Sequence, residues 1–158
     1  LNVRSADIDT RGRQPLRVVL DSRLQTPAAA RLLTLPGETL VCCTPGHDAT
    51  ALREAGAEVV EFSENHGLVD AGAVLAELAG RGVNDLLVEA GPRVTGHLLE
   101  KDAVDELVIY QSPHIMGSST RGMFRTPSWT ALNDRRTLDI VDVRRVGADT
   151  KITARIKS

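Results

Sequence analysis

The sequence predicts an α/β fold, with a mostly parallel sheet flanked by helices and closed by a C-terminal antiparallel hairpin. Three observations carry the prediction. Apolar runs of strand length recur between segments with helical spacing. The runs at 16–20 (LRVVL) and 39–44 (TLVCCT) are almost continuously apolar, as in parallel strands buried on both faces. From residue 140 the pattern changes to alternation, over 140–146 and 151–156, around Gly147-Ala148-Asp149, the signature of a hairpin.

In chain order, LNVR at 1–4 is followed by a polar stretch without periodicity to Gln14, which reads as a loop. The strand at 16–20 ends at Asp21 and Ser22. Thr26-Pro27-Ala28 opens a short helical turn through Leu32 and Leu33, stopped near Pro36-Gly37. A strand at 39–44 and a turn at Pro45-Gly46 precede a short helix at 48–55, with Asp48 as its cap and Gly56 past its end. Residues 58–62 (EVVEF) form the next strand, and 63–67 a polar loop that contains His66. Residues 70–80 place Val74, Leu75 and Leu78 on one helical face, and Gly82 ends that helix.

The segment 85–117 reads as a βαβ unit: a strand Leu86-Leu87-Val88 ending in Glu89, a turn at Gly91-Pro92, a helix, and a strand at 106–110. The helix carries Val94, Leu98 and Leu99 on one face and is closed by Lys101 and Asp102. Residues 118–121 are a polar loop, and Trp129 and Leu132 are expected to anchor the connection to the hairpin.

Composition narrows the function classes. A hydrophobic share of 42% and a charged share of 25% are those of an ordinary soluble globular domain, and a cytoplasmic location is expected. With a net charge of −2 there is no electrostatic footprint for nucleic acid or a membrane surface, and 3% aromatics leaves little for base stacking. No apolar run approaches a bilayer span. Cys42 and Cys43 are adjacent in a strand, so their side chains point to opposite faces; they read as buried small apolar residues rather than a redox pair. The histidines His47, His66, His97 and His114 are scattered without a metal-ligand spacing, and no metal is expected.

Two places invite a ligand. At Gly91-Pro92, backbone N–H groups and the helix dipole would face an anion, although proline at a first helical position is also simply a helix start. At Asp21-Ser22, polar residues end a strand, where open α/β sheets bind ligands, although a plain Asp-Ser turn has the same sequence.

The run LLVEAGPRVTGHLLE followed by VDELVIYQSPHIMG resembles the reductase domain of the bifunctional riboflavin-biosynthesis deaminase/reductase family, whose pattern is approximately (L/W)(V/L)E(A/G)GPTLAGxLLxxxLVDELxxYxAPxLLG. QPLRVVLDSRLQTP and the opening LNVR continue the match in the family's order. The resemblance implies a dihydrofolate-reductase-like fold over 1–158, without the N-terminal strand and helix that precede LNVR in the family, and without the zinc deaminase, whose H-x-E and P-C-x-x-C motifs are not present. It implies NADPH-dependent reduction of the ribosyl group of 5-amino-6-(5-phosphoribosylamino)uracil to ribityl, and a homodimer.

The resemblance also assigns residues. Gly91, Pro92, Arg93, Val94, Thr95, Gly96 and His97 match the cofactor-binding turn and helix start, where Thr95 offers a hydroxyl and Gly96 permits close packing. Ser22 matches a position that contacts the nicotinamide cofactor, and Glu89 one that contacts substrate; the alternative for Glu89 is a solvated strand-end carboxylate. Leu1 and Arg4 match substrate positions, Arg4 through a bidentate contact to phosphate. Arg93, His97 and His114 depart from the family pattern. The acid that precedes LNVR in the family, a candidate proton donor, lies outside this sequence. No catalytic residue is assigned, and the chain alone is expected to bind NADPH weakly and to turn over little. Two competing readings stand beside this one: a dihydrofolate-reductase-like enzyme on another pterin or pyrimidine, and a non-catalytic nucleotide-binding or oligomerising module.

Overall fold

The computed structural model describes residues 3, 7–117, 119–126, 131 and 135–157. The chain divides into two compact units, Leu1–Asp85 and Leu86–Ser158. Among the described residues no helix is long and apolar enough to cross a membrane, and no group of His, Cys, Asp and Glu gathers as a metal site.

The first unit is built on a three-stranded parallel sheet, β1 (Arg17–Leu20), β2 (Thr39–Cys43) and β3 (Glu58–Glu61), in the order β1-β2-β3. In register, Val19 lies beside Val41 and Val41 beside Val59. Helix α1 (Arg31–Thr34) lies in the β1–β2 connection and α2 (Thr50–Glu54) in the β2–β3 connection. All five β2 residues are buried, because the strand is central and both its faces are covered. Val41 and Cys43 pack with Leu52 of α2, Ala49, Ala57 and Val59 on one face. Leu40 and Cys42 pack with Val69, Val74 and Leu78 on the other. The two thiols therefore point to opposite faces, and burial pushes the Cys42 thiol up to about 12 and raises the Cys43 thiol as well.

Helix α3 (Ala71–Gly80) supplies Val74 and Leu78, and Asp70 caps it by accepting from the Gly72 and Ala73 N–H groups. Asp48 does not cap α2: the N-cap is Ala49, and Asp48 Oδ1 accepts from the Thr50 N–H at 2.9 Å just ahead of the helix. The polar stretch expected as a loop at 63–67 is instead a small antiparallel ribbon, β4 (Glu64–Asn65) with β5 (Leu68–Val69). His66 and Gly67 turn between them with φ of 51° and 74°, the two positive values that a tight two-residue hairpin turn demands.

The first unit also buries a guanidinium without a carboxylate. Arg17 is 3% exposed. Its nitrogens donate to Thr39 Oγ1 (3.0 Å) and to the carbonyls of Leu35 (3.1 Å), Pro36 (2.7 Å) and Gly37 (2.6 Å). These bonds close the turn that returns the chain from α1 to β2.

The second unit contains α4 (Pro92–Glu100) and a three-stranded antiparallel sheet of β6 (Glu106–Gln111), β7 (Leu138–Val146) and β8 (Asp149–Ile156), in the order β6-β8-β7. The expected C-terminal hairpin is β7–β8, turning at Gly147 and Ala148, with a bulge between Ile140 and Asp142. β6 pairs with β8 and so converts the hairpin into a sheet. Helix α4 ends at Lys101 and Asp102, the latter in the left-handed region at φ 53°.

One expected strand is not formed. Leu86, Leu87 and Val88 belong to no strand, are 43%, 72% and 39% exposed, and make no backbone hydrogen bond to another strand among the described residues. Without that strand there is no βαβ unit at 85–117. Trp129 and Leu132 lie outside the described residues.

Candidate functional site

Helix α4 begins at Gly91-Pro92 because proline at the first helical position has no N–H to leave unsatisfied, and Gly91 precedes it in extended conformation (φ −75°, ψ 169°). No side chain caps this end. The Val94 and Thr95 N–H groups both donate to the Gly91 carbonyl, at 3.1 and 3.2 Å, while those of Gly91 and Arg93 have no protein acceptor among the described residues.

The helix start forms one wall of an open cleft of about 690 Å³. Gly91, Pro92, Arg93 and Val94 line one side. The other side is the loop 121–126, which contributes Arg121, Gly122, Phe124, Arg125 and Thr126. Three arginines thus share one cleft that no Asp or Glu lines. None of the three makes an ion pair or a side-chain hydrogen bond among the described residues, in contrast to Arg81, which is held bidentately by Glu58 and again by Glu77. Guanidinium groups left without protein anions, beside two free helix-start N–H groups, suit a ligand that brings its own negative charge.

The loop is fastened to the helix. The Arg125 N–H donates to the Pro92 carbonyl at 2.8 Å, and Thr95 Oγ1 lies 3.2 Å from the Gly91 carbonyl and 3.5 Å from that of Met123. Gly96 is buried where the Arg125 backbone crosses the helix.

Of the residues singled out from the sequence, Gly91, Pro92, Arg93 and Val94 line the cleft. Thr95 and Gly96 hold the loop that forms its other wall, and His97 instead faces Glu100 with Nδ1 3.8 Å from Oε2. Glu89 is exposed, two residues before the N-cap, and does not line the cleft. Ser22 belongs to the first unit, where its Oγ accepts from the Val69 N–H at 3.0 Å and its carbonyl accepts from the Thr44 N–H and hydroxyl. Its neighbour Asp21 accepts from the Gln25 N–H and from the Thr26 N–H and hydroxyl; burial pushes the carboxyl up, but these bonds outweigh it and leave the pKa below the ordinary value. The Asp21-Ser22 pair therefore builds the strand-end turn and ties it to β5. Leu1 and Arg4 lie outside the described residues.

Sequence reasoning missed Arg121, Phe124, Arg125 and Thr126. The available signal was Gly96, a glycine inside a helix, which marks a close approach by another backbone without saying which.

Comparison with known proteins bears on this arrangement. Residues 1–152 match the model of the RibD C-terminal domain. The chain belongs to that family. It is 33% identical over 137 residues to the riboflavin biosynthesis protein RibD of Escherichia coli K12, covering 87% of this chain and 37% of that protein. It is 36% identical over 125 residues to the 2,5-diamino-6-ribosylamino-4(3H)-pyrimidinone 5′-phosphate reductase of Archaeoglobus fulgidus, covering 74% of this chain and 56% of that protein. The crystallised RibD of Acinetobacter baumannii is similar over 99% of this chain and 42% of its own, with a TM-score of 0.85 and 25% identity. The chain thus spans less than two thirds of the length of each of these three proteins. The expected α/β class, with a parallel sheet and a C-terminal antiparallel one, is borne out.

Proposed function

We propose that this RibD C-terminal domain is a reductase that uses NADPH to convert the ribosyl group of 5-amino-6-(5-phosphoribosylamino)uracil to ribityl. The observation that supports the reading is the cleft at the start of α4, with three guanidinium groups that have no carboxylate partner among the described residues. NADPH carries a pyrophosphate and a further 2′-phosphate, so a cleft whose only charged lining residues are arginines fits it. The free N–H groups of Gly91 and Arg93 add directed donors for a phosphate oxygen. The name of the Archaeoglobus fulgidus relative supports the reaction class.

In this reading Gly91, Pro92, Arg93, Val94, Thr95, Gly96 and His97 form the cofactor-binding segment, and Ser22 contacts the cofactor. Glu89, with Leu1 and Arg4, meets the substrate: the carboxylate accepts bonds from sugar hydroxyls and the guanidinium holds the phosphate. When bound, NADPH supplies the hydride. A C–H bond forms at C1′, the C1′–O4′ bond opens, and O4′ takes a proton. The reading includes a cytoplasmic location and a homodimer. Self-association is supported by the edge strand β7, which leaves Ile140, Val141, Val143 and Val146 exposed.

The test is NADPH oxidation by the protein that carries this domain, with the phosphoribosylaminouracil and, separately, the 2,5-diaminopyrimidinone phosphate as substrates. Oxidation with the uracil and formation of the ribityl product is the expected result. Oxidation with the diaminopyrimidinone alone would correct the substrate and keep the chemistry. NADPH binding with neither substrate reduced would refute the reductase reading in favour of a nucleotide-binding module.

A further inference from the structure

Gly96 occupies the interior of α4, where glycine is a poor helix former. A Cβ built on it would meet the Arg125 carbonyl oxygen and lie 2.6 Å from its carbon and 2.9 Å from the Arg125 nitrogen. These are backbone atoms, so no rotamer change relieves the contact. The loop 121–126 therefore sits where it does only because residue 96 has no side chain. Two further contacts hold the same loop, Arg125 N–H to the Pro92 carbonyl at 2.8 Å and Thr95 Oγ1 to the Met123 carbonyl at 3.5 Å. Its exposed arginines, Arg121 and Arg125, are brought in this way to the cleft wall opposite Arg93.

We propose that Gly96 is a positioning residue, and that the loop it admits supplies two phosphate-binding side chains, Arg121 and Arg125, to the dinucleotide site. The proposal rests on the cofactor reading of the cleft. Its physical content is a coupling: the missing side chain at 96 acts on the ligand only through the placement of residues 121 and 125.

The experiment uses the complete protein that carries this domain, with NADPH and inorganic pyrophosphate as probes. R121A/R125A, which removes exposed side chains, weakens NADPH binding by roughly tenfold or more, the size of a lost charge-assisted contact. It also flattens the salt dependence of binding. G96A weakens NADPH binding in the same direction, flattens its salt dependence likewise, and exposes the bond after Arg125 to trypsin. The combination of the three changes is no weaker than R121A/R125A alone, since the glycine acts through the arginines. Additive losses, or wild-type affinity in either variant, would overturn the proposal. If G96A does not fold, T95V removes the hydroxyl contact to Met123 without crowding; it weakens NADPH binding in the wild-type background and not in R121A/R125A, and an equal effect in both would be refuting. If wild-type protein does not bind NADPH, pyrophosphate decides. Its loss in both variants upholds the positioning role and removes only the NADPH reading, whereas equal or absent binding throughout overturns both.

Discussion

Replacing Arg17 by methionine tests what a buried guanidinium without a carboxylate contributes. Methionine keeps much of the apolar stem, so the packing of the start of β1 changes little and the loss reports the polar head. The head makes four hydrogen bonds, to Thr39 Oγ1 and the carbonyls of Leu35, Pro36 and Gly37. At the low end of about 1.5 kcal/mol for each bond to a charged group, the four represent roughly 6 kcal/mol. The three carbonyl bonds are only partly buried, and water can take the place of the lost donors, whereas Thr39 is itself buried and keeps an unsatisfied hydroxyl. Return of a charge from the interior to nothing also relieves a desolvation cost. Halving the total for these two effects leaves a destabilisation of about 3 kcal/mol, a large share of the stability of an ordinary domain. Urea denaturation followed by circular dichroism measures it, with the expected fall in midpoint at unchanged slope. R17K, whose single ammonium cannot span four acceptors, should fall between wild type and R17M. An unfolding free energy for R17M within about 0.5 kcal/mol of wild type would refute the assignment of this arginine as the closure of the β1–β2 connection, since that is the size expected of an ordinary surface change.

Three further outcomes follow from the structure. Cys42, raised from 9.0 to about 12 by burial, should not react with thiol reagents in the native protein, and its labelling rate should track unfolding; because its folded pKa is raised, stability should be lost as pH climbs from 9.0 toward 12, a slope that Cys42→Ala reduces. Asp21, held below its ordinary 3.8 because hydrogen bonds outweigh burial, contributes stability that is fully present above that value and is lost as pH falls through the folded pKa; acid titration of Asp21→Asn should be flatter in that window, and an unchanged profile would remove the strand-end turn from the acid response. Amide hydrogen exchange should be slow at Leu40, Val41 and Cys42, which lie in the centre of a parallel sheet, and fast at Leu86, Leu87 and Val88; equal protection would mean that 86–88 has found a strand partner.

Most of the first unit was legible in the sequence because its signals are local or depend on burial on both faces. LRVVL and TLVCCT are almost continuously apolar, and such runs have few uses other than a covered parallel strand. Val74 and Leu78 fall on one face of α3, as their spacing indicates, whereas Asp70, read as part of the helix, is its N-cap. The ribbon at 64–69 was missed because the decisive fact is backbone conformation: His66 adopts φ 51°, uncommon for any residue but glycine, and set here by the turn that pairs Glu64 with Val69. The strand at 86–88 was expected for a reason that is sound for LRVVL and insufficient here. An apolar run states only that the segment would be stable under cover. The pairing that makes it a strand belongs to another segment, and no run carries information about whether its partner is in place.

The same distinction explains the cleft. Gly91-Pro92 announces a helix start by itself, so the half of the site on α4 could be placed from sequence. Arg121 and Arg125 lie in a polar loop with no periodicity, and nothing within that loop sets them apart from solvated surface arginines. They become site residues only through a backbone contact at Gly96, some 29 positions away in the case of Arg125 by the numbering of the chain. The information for that contact is a missing side chain. A helix-interior glycine lowers helix propensity by about 1 kcal/mol relative to alanine, and this cost is offset here by an approach that alanine would block. The glycine therefore carries more positional information about the cleft than the arginines do, although it touches no ligand in this arrangement. For that reason the decisive variant of this site is the addition of one methyl group at residue 96, not the removal of a charge.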